Sequence, residues 1–262
     1  MSKLYLTLNE TPQVILDVMG NVEQQARGAR SSWNRGCLMA LGLLALGLSF
    51  FCLDMVMGYN CLTFSLVGGV LWVAAFIVGL RLLMTGRARV ESDQFSAART
   101  IIQTLKDDIG KKGRLIGWLD LTGPQQKSKI FRTGRTSSGR TKTYYRDPWL
   151  QTKTKLVDGN LLRLTLMEQI KVKKGYVAAR EQRLKARLVV NQDLYRIRAF
   201  SQEEIQANLP PARLDVQGGI INLAYAYATG RQFNPWDVLN ALKYLYSHLE
   251  PKAELASSAA GS

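Results

Sequence analysis

Histidine is nearly absent from this sequence, cysteine is scarce, and acidic residues are well outnumbered. The 262 residues hold one His, three Cys, and 20 Asp+Glu against 35 Lys+Arg. One histidine and no cysteine pair outside the apolar runs leave no ligand set for a zinc site. Cys37, Cys52 and Cys61 all lie in or beside those runs, which excludes a disulfide scaffold for the remainder. Cys52 and Cys61 bracket a short loop, either as a disulfide facing an oxidising compartment or as two thiols acting as small apolar groups. Catalytic signatures are equally sparse. No soluble cysteine is available as a nucleophile, no serine sits in a G-x-S-x-G context, and no phosphate-binding G-x-x-x-x-G-K-[ST] loop occurs. Gly218-Gly219 lacks the third glycine of a dinucleotide site. Asp147-Pro148 reads as a turn, Asp158 belongs to a hairpin signal, and Asp215 falls in a strand. His248 sits near the end of the last helix, where a cation complements the helix dipole. The expectation is a protein that is not an enzyme and holds no cofactor or metal.

Long uncharged runs are what the sequence does have. Gly36–Leu53 and Cys61–Leu80 contain no charged residue, and only Asp54–Asn60 separates them. An apolar run of about 18 residues or more is the signature of a helix crossing a bilayer, so the pair reads as a transmembrane hairpin. Arg27, Arg30 and Arg35 precede the first run, Arg81, Arg87 and Arg89 close or follow the second, and the loop between has no Lys or Arg. The positive-inside rule then places both termini on the cytoplasmic side of a bacterial plasma membrane or its equivalent. Trp33 and Tyr59 fall where interfacial anchors sit. Small residues four apart, Ala45/Ser49, Ser65/Gly69 and Ala75/Gly79, let helix backbones approach, either within the hairpin or between copies of the chain.

The remaining segments divide into residues 1–35, the hairpin at 36–84, a domain over 85–249, and a disordered tail at 250–262. Leu4, Leu6 and Leu8 alternate with polar partners as a half-buried strand does. Thr11-Pro12 then opens an amphipathic helix of about 12–28. A lone strand needs a sheet, so residues 3–8 are expected to pair with the C-terminal domain. Glu91–Ile109 reads as a helix with Phe95, Ala98, Ile101, Ile102 and Leu105 on its apolar face, ended by Gly110. Strands are expected at Gly113–Leu121, Lys127–Arg132, Thr141–Arg146, Leu150–Val157, Leu161–Lys171, Arg183–Val190 and Leu194–Arg198. Arg213–Val216 also reads as a strand, and Ile220–Ala228 as a strand or a helix. A short helix at Ser201–Ala207 and a last helix from Asn234-Pro235 through Leu249 complete the pattern, the latter with Trp236, Leu239, Leu242, Leu245 and Leu249 on one face. The fold class is α+β: a two-helix transmembrane hairpin with a β-rich, mostly antiparallel cytoplasmic domain and flanking helices.

Nearly all the net charge lies in Lys127–Arg198, which holds 19 Lys+Arg and 5 Asp+Glu, or +14 of +15. Period-two alternation puts Lys153, Lys155, Arg163, Lys185 and Arg187 opposite the leucines of their strands, so one sheet face is core and the other basic. These five are the candidate partner- or lipid-binding residues. The function read from them is a non-enzymatic membrane-anchored adaptor that docks an acidic protein or anionic lipid headgroups. The alternative is an oligomeric membrane effector that senses a nucleotide or nucleic acid and acts through its spans. Tyr144, Tyr145, Trp149, Tyr176 and Tyr195 would then offer stacking surfaces.

Overall fold

The computed structural model describes residues 5–57, 62–85, 92–135, 137, 139–209, 212–226 and 234–252. Tyr59, Cys61, Arg87, Arg89 and the tail from residue 253 lie outside the described residues. Contacts divide the chain into two units, one of Met1–Ser2 with Gly20–Arg89 and one of Lys3–Met19 with Val90–Ser262.

The amphipathic helix and the first apolar run form one uninterrupted helix, α1 (Pro12–Met57), which belongs to the second unit as far as Met19 and to the first from Gly20, and α2 (Leu62–Thr85) follows in the first unit. No proline follows Pro12 to break α1, and its glycines weaken a helix without stopping it. Within α1, Trp33–Leu53 is long and apolar enough to cross a bilayer and is almost wholly exposed. The described apolar part of α2, Leu66–Arg81, is shorter. It spans about 24 Å at 1.5 Å per residue, against a hydrocarbon core of about 30 Å. The structure therefore supports one membrane-spanning helix among the described residues.

The two helices meet at glycines other than those expected. A Cβ built on Gly47 would lie 2.5 Å from the Trp72 ring and 3.2 Å from the Gly68 carbonyl, whereas one on Gly69 or Gly79 would meet nothing. Cys37 and Cys52 carry free thiols.

The second unit is built on an eight-stranded antiparallel sheet. Its strands are β1 (Tyr5–Glu10), β2 (Leu115–Asp120), β3 (Ile130–Arg135), β4 (Thr141–Lys155), β5 (Leu161–Lys173), β6 (Tyr176–Val189), β8 (Ala212–Gln217) and β9 (Ile220–Ala226). The order is β1-β2-β4-β5-β6-β9-β8, with β3 pairing β4 off that path. The N-terminal strand does complete the sheet, as its alternation implied. Tyr5–Glu10 runs antiparallel to Leu115–Asp120, with Leu8 opposite Gly117. Ile220–Ala226 is a strand. A separate short ladder joins β7 (Tyr195–Ile197) to β10 (Leu249–Pro251).

One face of the sheet is closed by α3 (Ser92–Ile109) and α5 (Pro235–Tyr246), which also pack on each other. Ala98, Ile101 and Ile102 of α3 and Val238, Ala241 and Leu245 of α5 are buried, as are Leu164, Leu166, Leu184 and Leu188 of the strands. Burial of each large aliphatic side chain is worth about 1.5–3 kcal/mol, so this layer carries most of the unit's cohesion. A short α4 (Gln202–Asn208) is held by a capping box between Ser201 and Glu204.

Several expectations are corrected. Asp147-Pro148 is not a turn: Thr141–Lys155 is one strand, with a bulge between Pro148 and Leu150. A bulge is where a sheet tolerates a residue that has no N–H to donate. The last helix stops at Tyr246, and Leu249 and Glu250 enter the β7–β10 ladder rather than the helix face or a disordered tail. Trp236 is 58% exposed, and Val238 and Ala241 take the buried face instead. His248 follows the helix and is buried, its ring stacked on Phe200 at 4.2 Å.

Candidate functional site: the open face of the sheet

Strand alternation sorts the central side chains cleanly. Leu162, Leu164 and Leu166 of β5 and Leu184, Ala186 and Leu188 of β6 are buried, while Arg163, Lys185 and Arg187 between them are exposed. On β4, Thr152 and Thr154 are buried and Lys153 and Lys155 exposed. Lys153, Lys155, Arg163, Lys185 and Arg187 therefore share the face that α3 and α5 leave open.

Register draws three of the five together. Lys153 lies directly opposite Arg163, and Arg163 directly opposite Arg187, so three cations form one row across β4, β5 and β6. Ile116 and Asn222 flank that row on β2 and β9. Lys185 stands one row along, between Thr165 and Ala224, and Lys155 one row along in the other direction, opposite Leu161. Among the described residues none of the five has a carboxylate within ion-pair distance. Directly opposed like charges destabilise a sheet, on a scale of roughly 0.2–1 kcal/mol per pair. The row thus has no rationale in the stability of the isolated sheet.

The same face continues toward the β5–β6 turn. Tyr144 sits between Arg132 on β3 and Lys171 on β5 in register, with the two cations 5.7 and 5.8 Å from its ring centre. Arg146 covers the Phe131 ring at 4.6 Å. Of the aromatics considered for base stacking, Trp149 is wholly buried and the Tyr144 ring already carries cations, as does the neighbouring Phe131 ring. Glu181 carries a carboxylate here and is held by Arg183 at 2.8 Å.

The covered face holds a group of charges that sequence reasoning missed. Asp147 and Glu168 are directly opposed on β4 and β5, and both are buried. Each has its own cation. Lys129 lies 2.6 Å from Asp147 and 2.9 Å from Asp120, and Arg180 lies 2.8 Å from Glu168. Gln94 of α3 donates to Glu168 at 3.1 Å, and the Lys129 ammonium also donates to the Gly123 carbonyl and the Thr122 hydroxyl. The cluster ties β2, the segment before β3, the β4 bulge and α3 together.

Burial alone would raise the Asp120 carboxyl. Hydrogen bonds from Thr122 and Lys129, with the Lys129 charge, outweigh it and hold Asp120 below the ordinary carboxylate value. A depressed carboxylate contributes stability that is complete above its unfolded value, near 4, and is lost as pH falls through the depressed range. Asp120→Asn is therefore expected to flatten the acid limb of a stability-versus-pH curve, measured by urea unfolding at a series of pH values.

No protein-family model, no curated protein and no solved structure matches this chain.

Proposed function

We propose that this chain is a membrane-anchored, non-enzymatic docking module whose open sheet face takes an acidic partner, either a protein surface or anionic lipid headgroups. The observation that carries this reading is the Lys153–Arg163–Arg187 row, three like charges opposed in register with no carboxylate between them. Electrostatic self-repulsion within the sheet becomes attraction once a polyanion lies across it. Trp33–Leu53 of α1 supplies the anchor. The Gly47–Gly68 approach supports a hairpin in which α2 returns through the same bilayer. The arginines flanking the two apolar runs favour cytoplasmic termini at a plasma membrane.

The test is a variant carrying K153E, R163E and R187E in the full chain. Each cation near an anionic surface is worth about 1 kcal/mol, so losing three should weaken capture of the partner on the order of 100-fold, and reversing them should weaken it further. Crosslinking and pulldown from native membranes, repeated across ionic strengths, reads both the loss and its salt dependence. The fold provides the control: Lys153→Glu alone converts a like-charged pair with Arg163 into an opposite-charged one and should not lower stability. Recruitment and salt dependence that match the parent protein would sink the proposal.

A further inference from the structure

The densest charge in the domain is not on the Lys153–Arg163–Arg187 row but at the far end of the same strands. Residues 130–146 and 171–180 hold nine Lys+Arg and no Asp or Glu. The β3–β4 and β5–β6 hairpins turn back at this end, and register sets their tips side by side, with Lys142 opposite Lys173 and Lys173 opposite Tyr176. Arg180 is committed to Glu168 below the sheet. Lys142, Lys173 and Lys174 have no carboxylate within ion-pair distance among the described residues.

Two further features separate this end from a merely solvated basic turn. The apex is Lys174-Gly175, both at positive φ, 56° and 81°. Such a two-residue turn favours Asn or Gly at its first position, and a lysine there is held in a backbone region that costs of order 1 kcal/mol. The sequence thus places a charge at the tip against local preference. Beside it, Tyr176 is 79% exposed and Val177 more than a third exposed, and at the other end of β3 Ile130 and Phe131 are each more than a third exposed. Exposed aromatic and aliphatic groups ringed by Lys and Arg make the composition of a surface that sits in the headgroup region of a membrane. Base stacking is disfavoured because cations already cover the Phe131 and Tyr144 rings.

We propose that the paired tips of the β3–β4 and β5–β6 hairpins dock on an anionic lipid bilayer, with Lys142, Lys173 and Lys174 taking headgroup phosphates and Tyr176 and Val177 entering the interface. The proposal rests on the membrane anchor of the reading above but not on the acidic partner of the sheet face. Tethering by α1 keeps the domain at high effective concentration beside a bilayer, so weak contacts suffice.

The test uses the full chain in proteoliposomes, with native cysteines replaced and a fluorophore placed on Tyr176→Cys. Lipids spin-labelled at the headgroup quench it on contact. Quenching is expected in bilayers containing phosphatidylglycerol, is weak in pure phosphatidylcholine, and is reversed by high salt. A variant carrying K142Q, K173Q and K174N should need a much larger anionic fraction, its apparent affinity falling on the order of 100-fold. Asn at 174 suits the positive φ, which protects the turn in that variant. Quenching that is equal in neutral and anionic bilayers, or that survives the triple variant, overturns the proposal. So does tight binding of a single-stranded oligonucleotide to the same three lysines with no lipid quenching, which would assign the tips to nucleic acid. The K153E, R163E and R187E variant should leave the lipid quenching intact, so failure of one surface is readable apart from failure of the other.

Discussion

Replacing Lys129 by methionine is expected to destabilise the sheet unit by about 3–5 kcal/mol, the cost of leaving a buried carboxylate without its cation. The Lys129 ammonium serves Asp147, which is wholly buried, and Asp120, which is part-buried. Methionine keeps most of the side-chain volume, so the loss reports charge rather than a cavity. Two further outcomes follow. Adding Asp147→Asn should recover much of the loss, because removing both members of a buried pair is far milder than removing one. The pH response should also reverse. Asp147 without Lys129 gains from protonation in its dry site, so the single variant should become less unstable as the medium is acidified, while the parent protein becomes less stable. Urea unfolding of the full chain in detergent, followed by fluorescence of variants that keep Trp149 as their one tryptophan, would measure all three. A loss below 1 kcal/mol would mean that water or another group reaches Asp147 and that the cluster does not hold the bulge in place.

Gly117→Ala is expected to be nearly as severe, about 3 kcal/mol or more. Gly117 lies in β2 with φ near +155°, and a Cβ there would collide with the Gln151 carbonyl oxygen of β4. That oxygen belongs to the backbone of a paired strand and cannot rotate away as a side chain would. Backbone strain and overpacking each cost of order 1–3 kcal/mol. The damage should be local in a telling way, since Gly117 pairs with Leu8 on one side and Thr152 on the other. Hydrogen exchange should show lost protection in β1 and β2, with β5 and β6 still protected. Uniform loss across all strands would instead mean that β2 is part of the folding nucleus of the whole sheet. Gly134→Ala makes a matched control, because a Cβ there meets nothing.

Much of this fold is legible without coordinates, and the reasons are local. Leu6 and Leu8 of β1, Leu162, Leu164 and Leu166 of β5, and Leu184, Ala186 and Leu188 of β6 announce which face is buried, and the same parity puts Arg163, Lys185 and Arg187 outside. Glu168 was legible too. It falls in phase with Leu162, Leu164, Leu166 and Ile170, so parity alone puts a carboxylate on the core face and calls for a buried cation. Gln182 stands in the same relation to Leu184, Ala186 and Leu188. Asp147 was not legible. The bulge beside Pro148 shifts the phase of β4, so counting by twos from Leu150 gives the wrong face for everything before it. A turn signal such as Asp-Pro is a statement about short-range conformation, and pairing of both residues with β5, opposite Glu168 and Met167, overrode it.

The sequence by itself determined the uncharged run that makes Trp33–Leu53 fit a bilayer, the antiparallel β-rich character of the second half, and the concentration of positive charge within it. Those properties are sums over neighbouring residues, and a sum needs no partner. The tertiary structure decided where that charge meets itself. Only the register of β4, β5 and β6 sets Lys153, Arg163 and Arg187 in one row, and only the pairing of two hairpin tips brings Lys142 to Lys173. Residues that oppose each other in a sheet are fixed by turns and bulges many positions away. The charge could therefore be counted from the chain, whereas the surface it forms could be placed only by the fold.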